Sequence, residues 1–271
     1  MTDVREEIAC VLTDACDEVD VRLEAFLANP DDVETIHKLR ISIRTLRSLL
    51  AFVSPFLKRL RHRLLQADLR SVVIETSRLR EYDVMLRDVR ALGMPCGELP
   101  ERIGELRDLE RNRVVGVMRG RHTRQALARV RRRVESLPWK DSVRERGVTR
   151  YDVLAVFDEL VRTVDEGYAA VDRSDADAVH TLRKRSKRVR YVGESFGALL
   201  GERAVAEGAR MKGVQDELGD VCDARVNAGM ARDLLALGLS DEARGALEAL
   251  LGRNEGFVEE FVAGAAPGSV D

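Results

Sequence analysis

Turn residues interrupt the pattern of apolar and polar positions and divide the first half of the chain into four helical stretches. Asn-Pro, Ser-Pro and Gly-Met-Pro-Cys-Gly segments mark the ends of these stretches. Asp31 is followed three residues later by Glu34, the spacing of a capping box, and opens the second stretch. A break in the fourth stretch is expected near Gly116 and Gly120. We therefore predict helices over residues 4–28, 31–54, 56–92 and 101–137.

The same order of elements follows in the second half. Thr149 with Asp152 opens a fifth helix, Ser174 with Asp177 a sixth, Gly201 a seventh and Ser240 an eighth. Residues 264–271 are predicted to be disordered. No apolar run approaches the length of a membrane span, and the acidic N-terminus does not resemble a signal peptide, so no membrane association is expected.

An internal repeat accounts for this duplicated order. Residues 37–47 and 180–190 both read H-x-L-R-x-x-x-R/K-x-x-R, and each segment follows an acidic helix start and precedes a long helix. Each half is therefore a four-helix unit, and short connections make its helices antiparallel neighbours. We predict an all-α fold of two pseudo-symmetric antiparallel four-helix bundles, residues 1–138 and 139–263, with a basic groove or channel between them.

The repeated residues form a stripe on each helix. Positions i, i+3, i+7 and i+10 fall within an arc of about 80° on a helical wheel. In the first repeat the apolar residues Leu39, Ile43 and Leu46 lie about 100° away from that arc. The stripe therefore borders the face directed at the core, and its cations are expected to point into a groove between helices.

Both basic segments lack local carboxylates. No acid occurs between Glu34 and Asp68 or between Asp177 and Glu194. Like charges four residues apart on a helix cost a few tenths of a kcal/mol, so these rows need acids from other helices or an anionic ligand. One such run alone is typical of a solvated face, but its duplication at the same spacing favours a polyanion site. Binding is expected to tighten on mild acidification, because a bound polyanion favours protonated histidine.

Composition limits the remaining classes. Aromatic residues make up 4% and charged residues 34% of the 271 residues, which favours helices and argues against a β-sandwich or barrel. The net charge of -2 means that polyanion binding depends on where the cations lie. The four cysteines form no CxxC pair, which fits a reducing cytoplasm and neither a disulfide framework nor a metal site. No cofactor is expected.

The sequence resembles the CHAD family, named for a conserved histidine α-helical domain. The resemblance is carried by the two histidine–arginine segments, by Leu-Arg-Glu-Tyr-Asp-Val at 79–84 and by Leu-Gly-Asp-Val-Cys-Asp-Ala at 218–224. It covers nearly the whole chain and implies two four-helix bundles that bind inorganic polyphosphate along basic grooves. No triphosphate-tunnel domain with an ExExK pattern precedes the repeat, so a stand-alone module without tripolyphosphatase activity is expected.

The resemblance also implies binding residues, which lie in the two stripes and in equivalent places of the long third helices. Departures from the family pattern at Glu81 and Cys222 affect acids that are implied to orient the cations. Off-stripe cations, His62 and His122 are predicted to be solvated, and Trp139 to anchor the join between the halves. The off-stripe cations are Lys38, Lys184, Arg185 and Arg188. The implied binding residues are His37, Arg40, Arg44, Arg47, Arg70, His180, Arg183, Lys187, Arg190 and Lys212, with Lys58, Arg59 and Arg63 as secondary candidates.

Three other functions stay open. A nucleic-acid binder is disfavoured because single-strand binding relies on exposed aromatics, and only Phe52, Tyr191 and Phe196 lie near the stripes. A metal-dependent phosphohydrolase would need the acids of 216–223, which we expect to pair with Arg210, Arg225 or the stripe. A scaffold for a protein partner could use the acidic outer helices. We predict a non-catalytic polyphosphate-binding protein of the cytoplasm, where polyphosphate granules are one location open to it.

Overall fold

The computed structural model describes residues 2–264, and these residues form an all-α structure. It is 84% helical and contains no strands within the described range. A 3-10 turn at Ser54–Phe56 joins the second and third helices. The α-helices of this range are α1 (Arg5–Ala28), α2 (Val33–Phe52), α3 (Arg59–Ile74), α4 (Ser77–Arg90), α5 (Leu99–Arg119), α6 (Arg121–Glu135), α7 (Asp141–Arg146), α8 (Arg150–Ala170), α9 (Ala176–Ser195), α10 (Gly197–Leu200), α11 (Glu202–Leu235) and α12 (Asp241–Val262).

Local capping explains where several helices begin. Thr149 and Asp152 form the predicted capping box of α8, and Ser240 caps α12 by accepting from the Ala243 backbone N–H. Two predicted caps are displaced by one residue. Asp32 and not Asp31 caps α2, and Asp175 and not Ser174 caps α9, because these side chains accept from backbone N–H groups two residues further along.

Two predicted long helices are each divided in the structure. The stretch 56–92 becomes α3 and α4, which meet at Glu75 and Thr76. The stretch 101–137 becomes α5 and α6, which meet at Gly120, where the extended ψ of 156° ends α5. This second break is at the position where one was predicted. The counterpart of the first pair in the second half, α11, is unbroken. The two halves therefore differ at this element.

The hydrophobic core unites helices from both halves of the chain. In the larger cluster Phe52 of α2 packs against Phe157 of α8 and Phe196, with ring centroids 6.4 and 5.4 Å apart. A smaller cluster joins α4 and α5 to α11 and α12 through residues such as Met85 and Leu247. Burying each such side chain contributes about 1.5–3 kcal/mol. The division into bundles 1–138 and 139–263 stays a prediction. Among residues 2–264, both hydrophobic clusters contain helices from each side of that boundary.

The segment between the halves is tied to the start of α3. The backbone N–H of Lys58 donates to Pro138 O at 2.8 Å, and that of Lys140 donates to Phe56 O at 3.0 Å. Trp139 lies between these bonds and packs, partly buried, on the larger core. The segment is thereby held against the core, and a role for Trp139 as the anchor between the halves stays a prediction.

A close helix crossing places α9 directly against α11. A Cβ atom on Gly193 of α9 would collide with the backbone oxygen of Ala204 on α11, and Gly208 lies at the same crossing. Only glycine permits this approach of the two backbones. The crossing fixes the basic stripe of α9 along the side of α11.

No helix within residues 2–264 is both long enough and apolar enough to cross a membrane. The predicted disordered tail, 264–271, lies outside the described residues except for Gly264.

Candidate anion-binding site

Helices α2 and α9 pack against each other and bring the two basic stripes together. Loss of solvent and then the charge of Arg183 on α9 lower the pKa of Arg44 on α2. Arg44 in turn is among the charges that lower the pKa of His180 and of Lys187, both on α9. These mutual effects require the cations to lie close together. The two stripes therefore lie close together where α2 packs on α9, and we call this region the cleft. A continuous basic groove along it stays a prediction.

Arg44 lies at the centre of this cleft. Its side chain is exposed by surface area, yet its pKa is lowered first by removal from bulk solvent. A side chain whose tip meets water while protein surrounds its sides has both properties. Within residues 2–264 Arg44 has no side-chain hydrogen bond and no carboxylate within 4.0 Å. Its charge is therefore available to an anion in the cleft.

Arg47 is held beside α3. Its Nε donates to Gln66 Oε1 at 3.2 Å, and Gln66 Nε2 donates back to Arg47 O at 2.8 Å. Burial, followed by the charges of Arg70 and Arg44, lowers the pKa of Arg47. Arg70 is exposed on α3 near this group. A role for Arg70 in extending the binding surface stays a prediction.

Arg40 is buried and supports the wall of the cleft. Its Nη1 donates to Thr76 Oγ1 at 2.6 Å and to Val73 O and Ser77 Oγ at 3.3 Å. These contacts hold the last turn of α3 and the first residue of α4. Burial lowers the pKa of Arg40 to about 9, which leaves it charged at neutral pH. A direct contact between Arg40 and phosphate stays a prediction.

The equivalent residue on α9, Arg183, has a different environment. Its Nη2 donates to Asp223 Oδ1 at 3.3 Å, while its Nε is buried and has no partner in the described chain. The side chain lies across Gly219 of α11, where a Cβ would be 3.6 Å from Arg183 Nε. A Cβ at this position would therefore be in ordinary van der Waals contact with the guanidinium of Arg183.

Lys187 and Arg190 continue the stripe of α9. Burial, then the charges of Arg183 and Arg44, lower the pKa of Lys187 to about 8. Arg190 lies over the ring of Tyr191 at 5.0 Å and has its nearest carboxylate, Glu194, at 3.5 Å. Lys187 has no carboxylate within 4.0 Å in the described part of the chain. It is therefore a second cation open to a ligand.

The two motif histidines border the cleft on opposite helices. His37 is half-buried, and its pKa is lowered by burial and then by the charge of Arg80. His180 is exposed, and its pKa is lowered by partial burial and then by Lys184 and Arg183. Both imidazoles therefore favour the neutral form in the free protein.

The candidates outside the stripes differ in their availability. Lys58 is paired with Asp141 at 2.8 Å. Arg59, Arg63 and Lys212 are exposed and have no ion pair within residues 2–264. Lys58 is therefore neutralised locally, whereas no carboxylate in that range pairs with the other three, and their role in binding stays a prediction.

Sequence reasoning missed two cations near the cleft. The prediction that Arg188 is a solvated charge is wrong, because α9 packs so that its Nε is buried without a partner. Arg80 acts on His37 and Arg40, and its place in the 79–84 segment was the available signal. The other off-stripe cations, Lys38, Lys184 and Arg185, are exposed as predicted.

The acids around the site have specific partners. Asp223 contacts Arg183 and can orient it, as the resemblance implies. Its first-half counterpart Glu81 contacts Arg78 at 3.4 Å and not Arg40. Asp83 is buried and accepts from Arg107 Nε at 2.7 Å, which anchors α4 to α5.

The expected partners of the acids in 216–223 are partly wrong. Arg210 pairs with Glu207 and Asp165, and Arg225 donates to a backbone oxygen. Glu217 instead accepts from the Tyr168 hydroxyl and pairs with Arg173 at 3.3 Å. No group of three or more His, Cys, Asp or Glu residues arranged to hold a metal ion occurs between residues 2 and 264.

The cleft therefore carries a surplus of positive charge. Of the eight motif residues, only Arg183 and Arg190 lie within 4.0 Å of a carboxylate in the described chain. Guanidinium groups bind two anion oxygens at once, and an ammonium acts as a point charge. Such a row is suited to a ligand that carries several phosphate groups in succession.

Comparisons with known proteins place this chain in a family. The model of the CHAD domain matches residues 10–232. The crystal structure of the CHAD domain from the plant Ricinus communis superposes with a TM-score of 0.72 at 18% identity, covering 97% of this chain and 91% of that one. PptA from Streptomyces chartreusis superposes with a TM-score of 0.71 at 15% identity, covering 96% of each chain. No curated protein matches the sequence. The chain belongs to the CHAD family.

Proposed function

We propose that this protein binds inorganic polyphosphate in the cleft between α2 and α9, without chemical conversion of the ligand. The observation that carries the proposal is the meeting of Arg44 and Lys187 beside Arg183. Arg44 and Lys187 have no carboxylate within 4.0 Å among residues 2–264. A chain of phosphates supplies the missing negative charge at regular spacing.

The binding mode follows from the side chains present. Arg44, Arg47 and Arg183 donate charge-assisted hydrogen bonds to phosphate oxygens, and Lys187 contributes a point charge. His37 and His180 donate once the bound anion has favoured their protonated forms. Counterions released from the polyphosphate help to drive association, so the affinity falls as the salt concentration rises.

Buried aromatics favour polyphosphate over a nucleic acid. Phe52, Tyr191 and Phe196, the aromatics near the stripes, are all buried in the core. They cannot act as the exposed platforms on which single-stranded bases stack. Polyphosphate has no bases and needs no such platform. At equal phosphate concentration, single-stranded RNA should leave long-chain polyphosphate bound, and displacement by RNA would instead support the nucleic-acid alternative.

Binding without hydrolysis is proposed because two of the nearby acids are engaged. Asp223 is paired with Arg183, and Glu217 is paired with Arg173. Hydrolysis of polyphosphate usually needs a metal ion held by clustered carboxylates. Incubation with polyphosphate and Mg²⁺ should release no orthophosphate above the uncatalysed background. Release above that level would establish the phosphohydrolase alternative.

Charge removal in the cleft tests the proposal. The double variant R44Q/R183Q should lower the affinity for long-chain polyphosphate by about 100-fold, because each charge-assisted hydrogen bond contributes about 1.5–3 kcal/mol. The matched control R121Q/R124Q removes the same charge from exposed positions on α6. Calorimetric titration gives both affinities, and circular dichroism checks that the helical content is kept. Equal affinities for the two double variants would refute the site.

A further inference from the structure

A second group of polar side chains without a carboxylate lies where α2, α3 and α9 meet. It consists of Arg47, His62, Gln66 and Arg188, and we call it the α3 cluster. Gln66 is bonded to Arg47 through its Oε1 and Nε2 atoms, at 3.2 and 2.8 Å, and its Nε2 lies 3.5 Å from His62 Nε2. The positive charge of Arg188 lowers the pKa of His62 after burial does, so Arg188 lies close to this group. Three of its members thus carry, or can acquire, positive charge.

No carboxylate in the described chain compensates the charge of Arg188. Its Nε is buried and donates to no partner among residues 2–264, and no carboxylate lies within 4.0 Å of its guanidinium in that range. The charges that act on it are those of Arg185 and Arg47, both positive. A partly buried cation among other cations is costly unless an anion accompanies it.

The geometry of Gln66 leaves donors free for such an anion. Gln66 Oε1 engages only the Nε of Arg47, so the two Nη groups of Arg47 have no hydrogen bond in the described chain. His62 has one contact at 3.5 Å, which is the longest in the cluster. The α3 cluster therefore offers the ends of two guanidinium groups and an imidazole.

We infer that the α3 cluster is a separate phosphate subsite, occupied by a phosphate group of a polyphosphate chain where that chain leaves the cleft along α3. The inference rests on the proposed function and adds a direction to it. Arg47 belongs to both the first stripe and the cluster, so a chain bound along the stripe reaches the cluster without a gap. Exposed Arg63 and Arg70 on α3 continue the basic surface beyond it.

The length of the polyphosphate distinguishes binding at this subsite from binding in the cleft. Tripolyphosphate is expected to occupy the cleft, where Arg44, Arg183 and Lys187 are closest together. Only longer chains should extend to Arg188. R188Q should therefore lower the affinity for long-chain polyphosphate about tenfold and leave the affinity for tripolyphosphate within twofold of wild type. R188K, which keeps the charge, should retain most of the long-chain affinity.

Calorimetric titration of wild type, R188Q, R188K and a control tests the subsite. The control is R132Q, which removes an exposed charge from α6. Loss of long-chain affinity in R188Q alone supports the subsite. Equal losses in R188Q and R132Q, equal losses for both ligands in R188Q, or no loss in R188Q would each overturn it.

Two further readouts keep this test independent of folding and of the proposed function. R188Q should melt at or above the temperature of wild type, because it removes an uncompensated cation, and a lower melting temperature would contradict that description of Arg188. Failure of the wild-type protein to bind long-chain polyphosphate would refute the proposed function itself. Tight wild-type binding with an unchanged R188Q would refute the subsite alone.

Discussion

At the scale of single residues, Lys187 is a cation whose charge changes at mildly alkaline pH. Its pKa of about 8 results from burial and from the charges of Arg183 and Arg44, which outweigh the opposing charge of Asp223. A bound phosphate reverses this balance and favours the ammonium form. Binding of polyphosphate should therefore be coupled to uptake of a proton when the pH lies above the pKa of Lys187 in the free protein.

The first prediction follows from this proton uptake. The affinity for polyphosphate should fall as the pH rises through 8, by about tenfold at pH 9, because only about a tenth of Lys187 is then protonated. K187R keeps its charge over this range and should give a flatter profile. Titrations at pH 7, 8 and 9 measure the difference. Identical slopes for wild type and K187R would show that Lys187 does not contact the ligand.

The second prediction concerns the histidines at lower pH. Burial and neighbouring cations lower the pKa of His37 and of His180 in the free protein, and a polyanion raises them again. The affinity should therefore increase as the pH falls from about 7.5 to about 5.5. H37Q/H180Q should show a smaller increase than wild type. A wild-type affinity that stays flat over this range would exclude the histidines from binding.

At the scale of helices, the close crossing of α9 and α11 positions the second stripe. The third prediction is that G193A destabilises the protein by about 1–3 kcal/mol, because the new methyl group meets the backbone of Ala204. The matched control is G213A on α11, where a Cβ has no neighbour within 4 Å.

G213A should leave stability unchanged or raise it by up to about 1 kcal/mol, because alanine favours a helix. Denaturant unfolding compares the two variants. A G193A variant as stable as G213A would mean that the crossing is less close than described.

The elements also show which features the sequence can predict. The start of α8 was predictable because Thr149 and Asp152 cap it through contacts within one turn. The break between α3 and α4 was not, because it involves Arg40, more than thirty positions away, which bonds the end of α3. Burial of Arg188 was missed for the same reason, since it depends on how α9 packs on other helices.

The candidate site was predictable to a similar extent. Spacing alone identified the stripes and their position beside buried Leu39 and Ile43. Spacing could not reveal that the equivalent residues Arg40 and Arg183 have different partners. Arg40 bonds residues at the break between α3 and α4, whereas α11, whose Asp223 contacts Arg183, is continuous.

At the scale of the whole molecule, the net charge is -2, but the positive and negative side chains are unevenly distributed. Acids of the outer helices are engaged with surface arginines, as Asp17 and Asp20 are with Arg131 at 2.7 and 2.6 Å. Such exposed pairs contribute little to stability, and they leave the cations of the cleft uncompensated. The cations of the cleft therefore repel each other in the free protein, and a bound polyanion would weaken this repulsion.

The fourth prediction is an opposite effect of R44Q on stability and on binding. The free variant should be more stable than wild type by a few tenths of a kcal/mol, because like-charge repulsion with Arg183 is removed. Its affinity for polyphosphate should be lower. Thermal melting with and without polyphosphate measures both effects. A less stable free R44Q would mean that Arg44 has a compensating partner.

The most direct test of the central claim is calorimetric titration of the wild-type protein with orthophosphate, tripolyphosphate and long-chain polyphosphate. The cleft presents its cations in a row, so the affinity should rise in that order and then level off once the chain is longer than the basic surface. An affinity for orthophosphate equal to that for the long chain would contradict a site built for a string of phosphates.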